Sequence, residues 1–507
     1  MLDDAKGSNK GSEGGSSSTL SRRGLLQGAG WLLAATAFSP ATAKAVGIAD
    51  LSGEAKPTVS PVMDELSAYM AAARTRALPE EVVEKAKRHT LDTLSAMVSG
   101  SQLPPGKLAI QFARAHAGEK TATVVASPVL CGAMEAALAN GMLAHSDETD
   151  DVNANARIHP GAACVPAALA AGEQFGIDGT SFLRAVTLGY DIGSRMSITL
   201  GGLLEHHMTS HCVANNFGAT AAAACAAGLN ASQMRWVLDY AAQQASGLAS
   251  WQRDTQHIQK SLVFAGIPAR NGVTAALLIQ MGGTGVDDIL SGEDNFLIAF
   301  ATKADPGRLI DKLGERYEIT RTNIKKWSVG APDQGPLDAM EILMNQRRFE
   351  ADDVRKVVVR LATSQGIIVN NREMPDVCLQ HLIAVRLIDK TVSFHTAHDK
   401  ARMQDPAVLR QRAKVQLILD EELERHLPRY ESFVTVALAD GTELSHHVEA
   451  VRGTAQNPMS REEVVAKCRD LVTPVLGAAS CAKLIDAVLA LEKTKDIRAL
   501  RPWLQRA

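Results

Sequence analysis

Apolar residues return at helical spacing through most of the first half of this chain. Val82, Val83, Ala86, Leu91, Leu94 and Val98 make one such face. Leu78-Pro79-Glu80-Glu81 opens that helix with a proline and two acids, and Gly100 closes it. The same spacing predicts helices over 105–117, 131–145, 161–176, 180–199, 213–228, 231–247 and 268–281. Asp178-Gly-Thr-Ser181 and Asn230-Ala-Ser232 read as helix starts. Ala122–Ala126 is the strand signal of this half.

The pattern changes near Asp305-Pro306-Gly307. Lys356–Leu361, Val415–Leu419 and Ser432–Ala437 are β-branched runs, and Ala439-Asp440-Gly441-Thr442 is a hairpin turn leading into Glu443–Val451. Helical patterns at 335–346 and 375–389 lie among them, and two more follow at 460–474 and 478–493. The expected fold is mostly α with a smaller α/β domain. Residues 46–304 form an all-helical domain, 305–455 an α+β lid-like domain, and 456–507 return to the helical domain.

Composition sharpens this picture. Aromatics are only 4% of the 507 residues, and alanine-rich runs take their place, which favours close-packed helices over a β-sandwich. A net charge of −3 gives no bulk attraction for nucleic acid or an anionic membrane. The seven cysteines are scattered without a CxxC pair and read as small buried hydrophobes, with a catalytic cysteine the alternative.

Residues 1–45 stand apart. A Gly/Ser-rich start is followed by Ser21-Arg22-Arg23-Gly24-Leu25-Leu26, an apolar stretch to Phe38, and Ala41-Thr42-Ala43-Lys44-Ala45. This is the form of a twin-arginine export signal, too short to span a bilayer as a stable helix. It predicts passage through the Tat translocase and a periplasmic mature protein without stable membrane insertion.

The densest chemistry lies between two alanine-rich helices. His145, Asp147, Glu148, Asp150, Asp151 and His159 fall within fifteen positions. Charge placed there must be paired, solvated or used. A solvated loop with an Asp cap, a calcium site and an acid/base site are all compatible with the residue types, although the EF-hand spacing is missing. Four further elements follow: Glu205-His206-His207-Met-Thr-Ser-His211; His257-Ile-Gln-Lys260 with Arg270; Ile324-Lys325-Lys326-Trp327; and Cys378-Leu-Gln-His381. Their plain readings are a polar capping loop, lysines that snorkel to water, and a surface or core histidine. The HExxH spacing of a zinc site is absent, as is any GxSxG nucleophile motif. Carboxylates, histidines and lysines without a nucleophile suit proton transfer beside a carboxylate, with cations holding the substrate's own carboxylates.

Ala139-Asn-Gly-Met-Leu-Ala-His-Ser146, Asp150-Asp151, His159-Pro-Gly161 and Leu188-Gly-Tyr-Asp-Ile-Gly193 together resemble the MmgE/PrpD family. Phe217-Gly-Ala219, Lys260, Ile324-Lys325-Lys326 and Leu337-Asp-Ala339 occur in that family's order, so the resemblance spans roughly 60–490. It includes 2-methylcitrate dehydratase, cis-aconitate decarboxylase and iminodisuccinate epimerase. The resemblance implies a metal-free, cofactor-free homodimer with its site between the two domains. It matches Asp150 and Asp151 to the family's Asp-Asp pair and His159 to its His-Pro step, and assigns Lys260 and Lys325 to substrate binding. Glu148 stands where the family pattern has Asp, Val152 where it has Thr, Gly330 where it has His and His381 where it has Tyr; His211 substitutes for a slightly earlier histidine.

The expected function is therefore a lyase that dehydrates or isomerises a small di- or tricarboxylic acid. Glu148 or His159 would act as base, His211 and His381 as acids, and Asp150, Asp151, Lys260 and Lys325 would bind substrate. An epimerase or decarboxylase on a related acid, or a non-catalytic periplasmic polycarboxylate-binding protein, are the alternatives.

Overall fold

The computed structural model describes residues 59–506 apart from Gly202 and residues 204–206. The export-signal expectation and Glu205-His206 lie outside the described residues. Long helices run from Glu80–Gly100 through Ala133–Ala144, Pro160–Phe175, Gly179–Leu200 and Ser210–Ala227 to Ala231–Gln243. Asp178 caps its helix by accepting from Ser181 N at 2.7 Å, and Asn230 closes a capping box with Gln233. The strand signal at 122–126 is realised as two residues, Ala122–Thr123, paired antiparallel with Leu130–Cys131.

Alanine lets these helices approach closely, and glycine lets them approach further. A Cβ on Gly141 would lie 2.7 Å from the carbonyl oxygen of Ala265, so only glycine seats the helix Ala133–Ala144 against the segment 262–266. That segment belongs to a helix, Ile258–Gln280, whose apolar character reflects burial among its neighbours. The helical pattern at 268–281 captured only its second half. Its first half carries a π-helical turn at Leu262–Gly266, entered through His257 at φ +62°. π-turns and left-handed non-glycine residues concentrate at functional sites because they cost stability elsewhere.

Two apolar cores organise the rest. One runs from Met63 to Ile324 and resumes from Met459 to Leu504. The helices Arg461–Leu476 and Ala478–Leu489 accordingly pack back against Glu80–Gly100. The second core runs from Trp327 to Val451. It is built on a four-stranded sheet in the order Val415–Asp420, Val354–Ala362, Ser432–Leu438, Glu443–Val448. The first pair is parallel and the other two antiparallel. The 439–442 turn closes its hairpin as the sequence implies, with Gly441 at φ +89° and Asp440 accepting from Thr442 N at 2.9 Å. All seven cysteines are free and buried.

Candidate active site

The acidic loop runs from His145, which ends one helix, to His159, which begins the next. Its side chains are almost wholly enclosed, so the solvated-loop reading fails. Each of its four carboxylates has its own partners.

Asp151 is built in from the helical side. One oxygen accepts from Gly161 N at 2.9 Å; the other lies 2.5 Å from Tyr190 Oη and 2.7 Å from His89 Nδ1. A Cβ on Gly161 would come within 2.5 Å of Tyr190 Oη and 2.7 Å of Asp151 Oδ1, which explains the glycine of the His-Pro-Gly step. Asp151 has no exposed surface and no free acceptor, so it positions the loop instead of binding substrate. Asp150 is likewise enclosed: His145 Nδ1 lies at 3.0 Å and His159 Nδ1 at ion-pair distance, 3.2 Å. Burial alone would raise the Asp150 carboxyl, but His145 and His159 outweigh it and hold it well below the usual range. Burial drives His145 the other way, down to about 4, so the ring is neutral. With Nδ1–H given to Asp150, its buried Nε2 is an unpartnered acceptor.

Glu148 faces a different set of groups. Lys260 Nζ and His257 Nε2 meet its Oε1, the latter at 3.1 Å. Lys325 Nζ lies 3.4 Å from Oε2 and donates to the Glu148 main-chain carbonyl at 2.7 Å. Burial would raise this carboxyl; Lys260 and then Lys325 outweigh it and hold it well below 4.5. Lys325 is aimed here by a short bridge in which Val152 and Asn323 exchange hydrogen bonds of 3.0 and 2.8 Å. Asp147 reaches the second domain: His398 Nε2 lies 3.0 Å away. Burial would lower His398, but Asp147 outweighs it and raises the ring to about 9.

Phe264, in the π-turn, gathers the histidines. His211 stacks on one side at 3.9 Å between centroids and His145 at 4.8 Å. His159 lies 5.2 Å from His211 and 4.9 Å from His145, and His257 lies 5.1 Å from His145. Burial, then His159 and His145, hold His211 well below 6.5. A small open crevice adjoins Lys325, bounded by Val152, Gln334 and Tyr430.

The structure thus brings Glu148, Asp150, His159, His211, Lys260 and Lys325 together. It does not bring His381. That histidine is buried in the second domain with both ring nitrogens unpartnered, on a helix packed against Ala331–Gln346 and Pro406–Arg412. Burial, then Arg412 and Arg402, push it to about 4. The charged groups that act on it, Arg412, Arg402, Asp399 and Asp389, all belong to the second domain. Arg270 is exposed, His207 faces solvent, and Lys326 pairs with Glu341. Residues the sequence left unassigned join the site instead. His398 is one; Asp333 is another, with both oxygens unpartnered and, through burial and then Asp376 and Glu148, a carboxyl raised well above 3.8. The surplus of carboxylates in the loop was the available signal that distant cations must converge on it.

His145, Glu148 and His257, or His145, Asp150 and His159, lie close enough to hold a metal by distance, each set within 4.8 Å. The donor chemistry of the first set fits poorly. Two ammonium groups already sit on Glu148, and a divalent cation would be set against both.

A large helical domain, a smaller sheet domain and a histidine–lysine–carboxylate cluster at their junction define a two-domain architecture. The chain belongs to the MmgE/PrpD family: it matches that family's N-terminal domain over residues 64–309 and its C-terminal domain over 327–493. Its relatives include the cis-aconitate decarboxylase of Aspergillus terreus, 25% identical over 478 residues, 87% of this chain and 95% of the relative. The human cis-aconitate decarboxylase is 24% identical over 454 residues, 84% of this chain and 91% of the relative. A cis-aconitate decarboxylase-like protein of Aspergillus oryzae is 23% identical, covering 87% and 96%.

Proposed function

We propose that this protein is a lyase acting on a small di- or tricarboxylic acid by acid/base chemistry, with Lys260 and Lys325 binding substrate carboxylate and the histidine cluster moving protons. The observation that carries this reading is the convergence of Lys260 and Lys325 on Glu148 beside three histidines, His145, His159 and His211, gathered around Phe264. The relatives make decarboxylation of an unsaturated acid like cis-aconitate the first reaction to test. There the carbon–carboxylate bond would break, its electron pair would shift across the neighbouring double bond, and His159 would protonate the far carbon as carbon dioxide leaves.

Dehydration of a hydroxy acid is the second reading. It is favoured by a candidate base and a candidate acid: the free Nε2 of neutral His145 would take the proton, and Asp333, whose carboxyl burial raises, would give one to the departing hydroxyl. Val152, Gly330 and His381 also depart from the pattern of the decarboxylase-like members. Incubating the purified protein with cis-aconitate and a panel of hydroxy and unsaturated polycarboxylates in deuterated water, followed by proton NMR, decides between them. Carbon dioxide loss with deuterium incorporation supports the first, loss of water with alkene formation the second, and deuterium exchange alone an epimerase. Tight binding without turnover or exchange rejects the enzyme.

The Arg22-Arg23 signal supports action in the periplasm after Tat export. Replacing both with lysine should retain the protein in the cytoplasm on cell fractionation. Homodimerisation is part of the same proposal, and light scattering on the purified protein tests it.

A further inference from the structure

Glu148 occupies the place a substrate carboxylate needs. Among the described residues it is the acidic partner of both Lys260 and Lys325, and it is 5% exposed. Asp147, Asp150 and Asp151 are each committed to other groups and leave those lysines to it. Around this one carboxylate two ammonium groups make a local excess of positive charge, which a second anion would neutralise.

Both lysines are also held independently of the Glu148 side chain. Lys325 donates to the Glu148 main-chain carbonyl at 2.7 Å, a bond that survives rotation of the side chain. Lys260 Nζ lies 5.2 Å from the ring centres of both Trp251 and Phe264, where cation–π attraction keeps it in place. The Glu148 carboxylate can therefore leave while the cations stay.

We infer that Glu148 is a displaceable internal stand-in for the substrate: an incoming carboxylate takes the Lys260–Lys325 pair, and the released Glu148 side chain becomes the base beside the bound molecule. The exchange replaces one ion pair by another, so neither ammonium is left unpaired. Before exchange, the two cations keep Glu148 ionised and weakly basic. After exchange it faces His257, His211, Asp333, Asp376 and Tyr430 beside a bound anion, and its proton affinity rises. Basicity would then appear only when substrate is bound. This inference rests on the polycarboxylate reading above.

Proton linkage tests it. Malonate binding to the purified full chain is measured by titration calorimetry near neutral pH, in two buffers of different ionisation enthalpy, with malonate's own titration subtracted. The wild-type protein should take up a sizeable fraction of about one proton per site on binding. Glu148→Gln should abolish that uptake and bind malonate about tenfold more tightly, since no internal carboxylate competes. Should the variant not fold, the wild-type uptake decides alone. Absence of saturable malonate binding, binding without uptake, or weaker binding by Glu148→Gln overturns the inference. Uptake without turnover of any acid in the NMR panel leaves the exchange standing and removes the lyase reading; turnover without uptake does the reverse.

Discussion

The two halves of the loop between His145 and His159 carry the same kinds of residue and are held in opposite ways. From Asp150 onward, the partners belong to the helical domain: His145, His89, Tyr190 and the Gly161 amide. From Asp147 to Thr149, they arrive from far along the chain: His398, Lys260, Lys325, and Lys467, which donates to the Thr149 carbonyl at 2.9 Å. The later half is fixed by its own domain and acts as a scaffold. The earlier half is completed by later segments, two of them, Lys325 and His398, from the junction and the second domain. Acidic residues next to one another in sequence are thus divided between partners from their own domain and partners from far along the chain.

The largest effect should come where scaffold and machinery meet. His159 is the better exposed ring of the Asp150 pair, and Asp150 keeps His145 when it is removed. His159→Ala is expected to lower kcat by about a thousandfold, the range of a lost general acid or base, with an unchanged circular dichroism spectrum. Full retained activity would move His159 to the scaffold.

Asp151→Ala probes the scaffold itself. It strands Tyr190 Oη, His89 Nδ1 and the Gly161 amide in a fully enclosed place. The expected cost is about 3–5 kcal/mol in denaturant unfolding, as for removal of one partner from a buried charged network. A loss under about 1 kcal/mol would show that the two halves are not so different.

The Asp147–His398 contact is the clasp of the other half, and its stability should follow pH. The folded His398 value, about 9, lies above its unfolded value of 6.5. Its contribution is therefore fully present below pH 6.5 and lost as pH rises through about 9. The shift corresponds to roughly 3 kcal/mol, since each unit is about 1.4 kcal/mol. Thermal melts of the wild type should fall across that window, while His398→Gln should start lower and stay flat. Equal slopes for the two proteins would remove the clasp.

The division of the loop also decides what could be read from sequence. Helices and the hairpin were legible because they depend on local periodicity and turn chemistry: the capping boxes, Gly441 and the 439–442 turn all signal themselves within a few residues. Lys260 and Lys325 were legible through the order of motifs. His398 was not, because its five-residue helix Phe394–His398 has no motif and its partner lies 251 positions away by residue number, 398 against 147. His381 was misread for the complementary reason. A histidine on an amphipathic helix looks the same whether the helix turns it to a cleft or to its own core, and only packing of Leu379–Asp389 decides. The π-turn at Leu262–Gly266 was invisible as well, since an apolar run has no local mark for where the helix widens.

The smallest change tests the scaffold at a single atom. Tyr190 Oη lies 2.5 Å from Asp151, and the ring also sits edge-on to His89 with centroids 5.4 Å apart. Tyr190→Phe keeps the packing and removes one hydrogen bond to a buried carboxylate. Asp151 retains His89 and the Gly161 amide, so the charge is never left bare. The loss should be about 1.5–3 kcal/mol, the value of a hydrogen bond to a charged group, and toward the lower end because Gly161 stays in place. Because Asp151 works through position alone, KM and the malonate-linked proton uptake should be unchanged in this variant. A shift in either would mean that the hydroxyl is felt at Glu148, three residues away on the other half of the loop, and that scaffold and machinery are one network.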